Sequence, residues 1–268
     1  MIHADHGVRG VPERSALARD RVTLVTSATL ILIAAAAWVD VVRSSLGEPD
    51  MMMTMFMPLT LSDGIVFVAS WAVMMTAMML PSALPMIALY GATQRGAARP
   101  APRGVSVAVF TLVYLVVWAA SGVPVYVAHN LLMTLAPKTF AYAIAGVLLA
   151  AGVFQLSSFK QACLRACRSP LGFLLGHWRR GLLGSLALGW SHAVYCLGCC
   201  WALMAVLVGA GGMGLIWVLT IAAVVGAEKL LRRGEWVARA TGAAFLLLGA
   251  AVALWPDLVT ALRGGHAT

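Results

Sequence analysis

The chain has 268 residues, of which 61% are hydrophobic and 11% charged, and its mean hydropathy is +0.89. A soluble fold of this length has no interior large enough for so much apolar surface, so composition excludes an ordinary globular enzyme. The net charge of +9 does not point to nucleic acid, because the basic residues fall between apolar blocks rather than along one face.

The blocks are continuous, rich in Ala, Leu and Met, and of a length that about 30 Å of hydrocarbon demands of a helix. Membrane barrels would instead show short alternating segments. Spans are expected at about 24–42, 63–90, 105–128, 139–157, 182–209, 214–231 and 239–255. They predict an all-α, polytopic transmembrane helical bundle of about seven spans. Residues 1–22 form a basic cytoplasmic leader, 23–256 one membrane domain and 257–268 a short external tail. With the N-terminus cytoplasmic and the C-terminus external, sixteen Lys and Arg lie inside and only Arg43, Lys138 and Arg263 outside. The run Ala34 to Ala37 leaves a cleaved signal peptide as the alternative reading of the first span.

Between the first two spans, five methionines fall within Met51 to Met57, beside Glu48 and Asp50. Thioethers bind Cu(I) without losing a proton, so Met51, Met53 and Met55 are candidate ligands. A shallow interfacial helix using Met as its apolar face is the competing reading.

The second span carries Met74, Met75, Met78, Met79 and Met86, with Met75, Met78, Met79 and Met86 on one broad face. Methionine also fills irregular cores, so packing is the alternative. Pro81 and Pro85 are expected to kink or open this helix.

After the fourth span, Cys163 and Cys167 stand one helical turn apart beside Arg165 and Arg168. Nearby cations favour thiolate, which suits a metal or a redox couple. Two reduced structural cysteines in the cytosol are the other reading.

In the fifth span His192, Cys196, Cys199 and Cys200 occupy offsets 0, 4, 7 and 8, one stripe of a helix. Three thiols and an imidazole suit Cu(I), and also Zn(II); small apolar packing residues are the alternative. Met75 and Cys196 lie at similar depth, roughly twelve and thirteen residues from the outer face, so the two sulfur groups are expected to meet. Of the intramembrane carboxylates, Asp40 and Glu228 sit at span edges, with Glu228 expected to pair with Lys229 or with loop arginines. No phosphate-binding loop, nucleophile elbow or His-Glu-x-x-His occurs.

The segments Trp71 to Tyr90, Lys160 to Pro170 and Tyr195 to Met204, together with Glu228-Lys229, resemble a bacterial family of predicted metal-binding integral membrane proteins of unknown function, some labelled copper chaperone-like. The similarity covers about residues 60–250 and departs at Ala193, where that family carries Gly after the His. It implies metal binding.

The expected function is binding, delivery or translocation of a soft metal ion, Cu(I) first and zinc second, in a bacterial inner membrane. Expected partners are membrane lipid and a copper-accepting membrane or periplasmic protein, with no nucleic acid. The alternatives are a thiol-redox relay through the five cysteines, a haem protein using His192, and a scaffold without metal. His129, near the outer end of the third span, is poorly placed to complete a bis-His haem site.

Overall fold

The computed structural model describes residues 21–47, 60–94, 100–179, 181–209 and 214–258. Every regular element among them is helical: α1 (Arg21–Gly47), α2 (Leu61–Thr93), α3 (Pro100–Ala120), α4 (Gly122–Met133), α5 (Pro137–Leu156), α6 (Ser158–Arg168), α7 (Pro170–His177), α8 (Gly181–Gly209), α9 (Leu215–Leu230) and α10 (Gly234–Leu254). A backbone in lipid must satisfy its own polar groups, which is why such apolar blocks become helices.

Among the described residues, six helical stretches are long and apolar enough to cross a membrane: Leu24–Leu46, Leu61–Thr93, Gly104–Met133, Pro137–Leu156, Gly181–Gly209 and Gly234–Leu254. The third joins α3 to α4. The seventh expected span corresponds to α9, whose 16 residues rise only about 24 Å.

Helices α2, α3, α8 and α9 enclose the main core, with α1 laid along the outside of α2. The α5–α10 pair packs against α8 through a second core built on Phe140, Ile144, Leu148, Ala202, Val206 and Val252. Close approach within that pair depends on glycine. A Cβ on Gly152 would lie 2.9 Å from the Gly242 carbonyl oxygen, and one on Gly249 would lie 3.0 Å from the Leu149 nitrogen. Where no hydrophobic effect drives helices together, such backbone contact supplies the attraction by dispersion.

Helix α2 continues through Pro81 and Pro85 as one α-helix and is not opened there. Hydroxyl groups bond to its backbone in the second half: Ser82 Oγ donates to the Met79 carbonyl at 2.8 Å, and Tyr114 Oη reaches the same oxygen at 3.4 Å. Both bonds are additional to the ladder, because the carbonyls that Pro81 and Pro85 leave without an i+4 donor are those of Ala77 and Pro81.

The chain between α5 and α8 is more ordered than a cytoplasmic loop. Helix α6 turns its buried stripe, Lys160, Cys163 and Leu164, onto α8, and α7 then lies against α2 and α8. The reason is periodicity: Lys160, Cys163, Leu164 and Cys167 occupy offsets 0, 3, 4 and 7 of one helical face. Ser157 caps α6, accepting from the Lys160 nitrogen at 3.2 Å, and Arg168 closes it by donating to the Leu231 and Arg232 carbonyls at 2.6 and 2.8 Å.

Candidate metal centre

A thiol cluster forms where the last turns of α5, α6 and α9 meet the middle of α8. Cys196, Cys199 and Cys200 are at most 1% exposed. Cys199 Sγ lies 3.3 Å from Cys200 Sγ and 3.9 Å from Cys167 Sγ, and it also donates to the Cys196 carbonyl at 3.1 Å. All five cysteines are free thiols. Cys167, expected in a separate cytoplasmic pair, thus joins the thiols of α8.

Cys163 takes a different place. Its Sγ packs on Gly198, where a Cβ would come within 3.1 Å, so the glycine among the cysteines makes room for α6. Burial pushes the Cys163 thiol above its ordinary value, against the smaller opposing pull of Lys160.

Cys196 has two polar neighbours. Lys229 Nζ approaches its sulfur at 3.0 Å and Tyr114 Oη at 3.0 Å. The ammonium group also touches Ser82 Oγ at 3.2 Å and Met79 Sδ at 4.0 Å. Among the described residues Lys229 has no carboxylate partner, so the thiol is its nearest group able to carry compensating charge. Met79 therefore reaches the cluster through Lys229. Met75 and Met78 are buried in the same core. Met51, Met53 and Met55 lie outside the described residues.

Glu228 does not pair with Lys229 or with a loop arginine. Adjacent residues on a helix point about 100° apart, so the two face different neighbours. Glu228 Oε2 accepts from Lys160 Nζ at 2.6 Å, with the two side chains 1% and 0% exposed, and its Oε1 accepts from Gln155 Nε2 at 2.7 Å. Lys160 Nζ donates as well to the Cys199 carbonyl at 2.5 Å. One buried ion pair thereby ties α5, α6 and α9 to the cysteine turn of α8. Gln155 and Tyr114 were not singled out from sequence, Lys160 entered only as the start of a family-like segment, and Lys229 only as the expected partner of Glu228. The stripe that Lys160 shares with Cys163 and Cys167, and the buried charge of Lys229, were the available signals.

His192 lies one helical turn before Cys196, and Tyr114 borders both side chains. Eight residues of α-helix rise about 12 Å, so its imidazole and the Cys200 thiol cannot share one ion without unwinding α8. The ring lies instead among Phe110, Tyr114 and Phe173, with centroids 5.9, 5.4 and 5.5 Å away, and its buried Nδ1 has no hydrogen-bond partner among the described residues. Tyr90 and Ser185 close the same layer through a 2.7 Å hydrogen bond.

Among the described residues, no group of three or more His, Cys, Asp or Glu side chains has the arrangement of a ready metal site. The thiols approach in pairs rather than as a finished cage. For a metal–sulfur bond of about 2.3 Å, three sulfurs around one ion would stand about 4 Å apart. The 3.3 and 3.9 Å separations are within a rotamer change of that spacing.

No curated protein and no solved structure matches this sequence. A family model does match, over residues 68–252, which hold α3 to α9 together with most of α2 and α10. That family is PpoB2, described as copper chaperone, and since its model takes in well over half of the chain, this protein belongs to it.

Proposed function

We propose that the protein binds Cu(I) as cargo at the thiol cluster and passes it to an acceptor. Cys167, Cys196, Cys199 and Cys200 form the core of the site, with the Met79 thioether beside it. The observation that carries this reading is the gathering of four thiols from two helices, three of them buried, in a copper chaperone family. Thiolate and thioether sulfur are soft donors, and they select Cu(I) over the hard cations. Met51, Met53 and Met55 would collect the ion outside, Met75 and Met78 would line its way inward, and His192 and Cys163 would flank the core.

The site lies level with the C-terminal turns of α5 and α9, which supply Gln155, Glu228 and Lys229. In a bacterial inner membrane with the N-terminus inside, that level is the cytoplasmic edge of the hydrocarbon rather than its centre. Helix α5 supports this placement, since its 20 residues rise about the 30 Å of the hydrocarbon. Arg165, Arg168, Arg232 and Arg233 fall at the same edge, as basic residues do on the inner side.

The test is metal content by mass spectrometry on protein purified under reducing conditions, wild type beside Cys196/Cys199/Cys200→Ala. Copper near one equivalent, lost in the triple variant, supports the reading. Zinc in its place would retain the site and change the cargo, and the absence of metal from both proteins sinks the proposal. The 3.9 Å between Cys167 and Cys199 also favours a second reading, a thiol couple. A redox-dependent gel shift that survives chelation and vanishes in Cys167→Ser would support it.

A further inference from the structure

We infer that Cys167 is the exchange ligand of the cluster, the thiol through which cargo leaves for, or arrives from, an external thiolate. The copper part of this inference rests on the function proposed above; the question of access does not.

Three observations support it. Cys196, Cys199 and Cys200 are 1%, 1% and 0% exposed, so no acceptor can reach them directly. Cys167 is half-buried where the other three residues are fully buried, and its sulfur stands 3.9 Å from that of Cys199, so it lies between the cluster and the surface. Its position in the fold also suits movement. It lies in the last turn of α6, one residue before Arg168 and two before the Ser169 break that starts α7, whereas the other three thiols sit in mid-helix. Helix ends open at lower free energy than helix interiors.

The transfer involves no electron change. An acceptor thiol loses its proton and its thiolate adds to the ion shared by Cys167 and Cys199, forming one new copper–sulfur bond. The bond to Cys199 then breaks, a second acceptor thiolate adds, and the bond to Cys167 breaks last. Copper remains Cu(I), and the two protons released by the acceptor thiols are taken up by the two departing cysteines. The exposed guanidinium of Arg165, two residues away, favours an acceptor whose thiols sit in an acidic surface.

Two measurements on the full chain in detergent test this. First, the reduced, metal-free protein is treated with a sulfonated maleimide and its peptides are followed by mass spectrometry. Cys167 is expected to react about tenfold or more faster than Cys196, Cys199 and Cys200, which wait on opening of the fold. Equal rates overturn the inference whether or not the protein binds copper. Second, Cu(I)-loaded wild type and Cys167→Ser are mixed with bathocuproine disulfonate and release is read by absorbance. The variant lacks one ligand and holds copper more weakly, yet it should release the ion it retains about tenfold more slowly, because the route out is gone. Release at the wild-type rate overturns the assignment, as does loss of copper to the level of the triple alanine variant. Absence of copper from the wild type refutes the proposed cargo, and the maleimide rates still decide the access route.

Discussion

Replacing Lys160 by Met should be the most damaging single change near the site, and the size of the effect follows from its neighbours. The ion pair with Glu228 is 2.6 Å long and its side chains are 0% and 1% exposed, so the carboxylate left behind can reach neither water nor another cation at short range. Removing one partner of such a pair costs about 3–5 kcal/mol, most of it the penalty of the stranded charge. Gln155 alone then faces Glu228, and the Cys199 carbonyl loses a charged donor. For a chain of this size the loss corresponds to a fall in Tm on the order of 10 °C. Lys160→Met/Glu228→Gln removes both charges and keeps an acceptor for Gln155, so it should recover most of the loss. The assay is thermal and denaturant unfolding in detergent, followed by tryptophan fluorescence for wild type, both single variants and the double. If Lys160→Met lies within about 1 kcal/mol of wild type, or if the double variant is as unstable as the single, the buried-pair reasoning is wrong.

Lys229→Met should behave differently, because its partners Ser82, Met79 and Cys196 include no carboxylate to strand: stability is expected to stay within about 1 kcal/mol while Cu(I) affinity in a competition titration falls. Destabilisation comparable with Lys160→Met would count against a role at the site. Gly198→Ala brings a methyl within 3.1 Å of Cys163 Sγ, which cancels the helix gain of about 1 kcal/mol; in a Cys163→Ala background that gain should appear in unfolding experiments. Equal effects in the two backgrounds would refute the packing account. His192→Phe keeps the ring stacking with Phe110 and Tyr114, so copper content by mass spectrometry should remain near that of wild type; its loss would make the imidazole a ligand after all.

The helical architecture was legible because lipid leaves a backbone few choices, and apolar blocks of span length announce themselves. The cysteine stripe of α8 was legible for the same periodic reason. Three things were not. A hydropathy reading takes Ser158 to His177 as a loop, since its polar residues mask one helical face; only the offsets of Lys160, Cys163 and Cys167 hinted that α6 returns to the bundle. The surroundings of a stripe are hidden as well: nothing in the sequence announced that the His192 ring would lie among Phe110, Tyr114 and Phe173. Finally, the neighbours Glu228 and Lys229 looked like a pair, whereas helix geometry sends them to Lys160 on one side and Cys196 on the other.

Helix α9 works as a ruler. Its 16 residues end where Glu228 and Lys229 must each find a partner on a different helix, and both contacts depend on the same register. One residue inserted between Gly214 and Glu228 would advance the end of α9 by about 1.5 Å and turn it by about 100°, swinging the ammonium away from Cys196 and the carboxylate away from Lys160 together. Length changes within α9 are therefore not tolerable. The short helix, rather than the cysteines alone, fixes how far the cluster can drift during descent without losing its electrostatic frame.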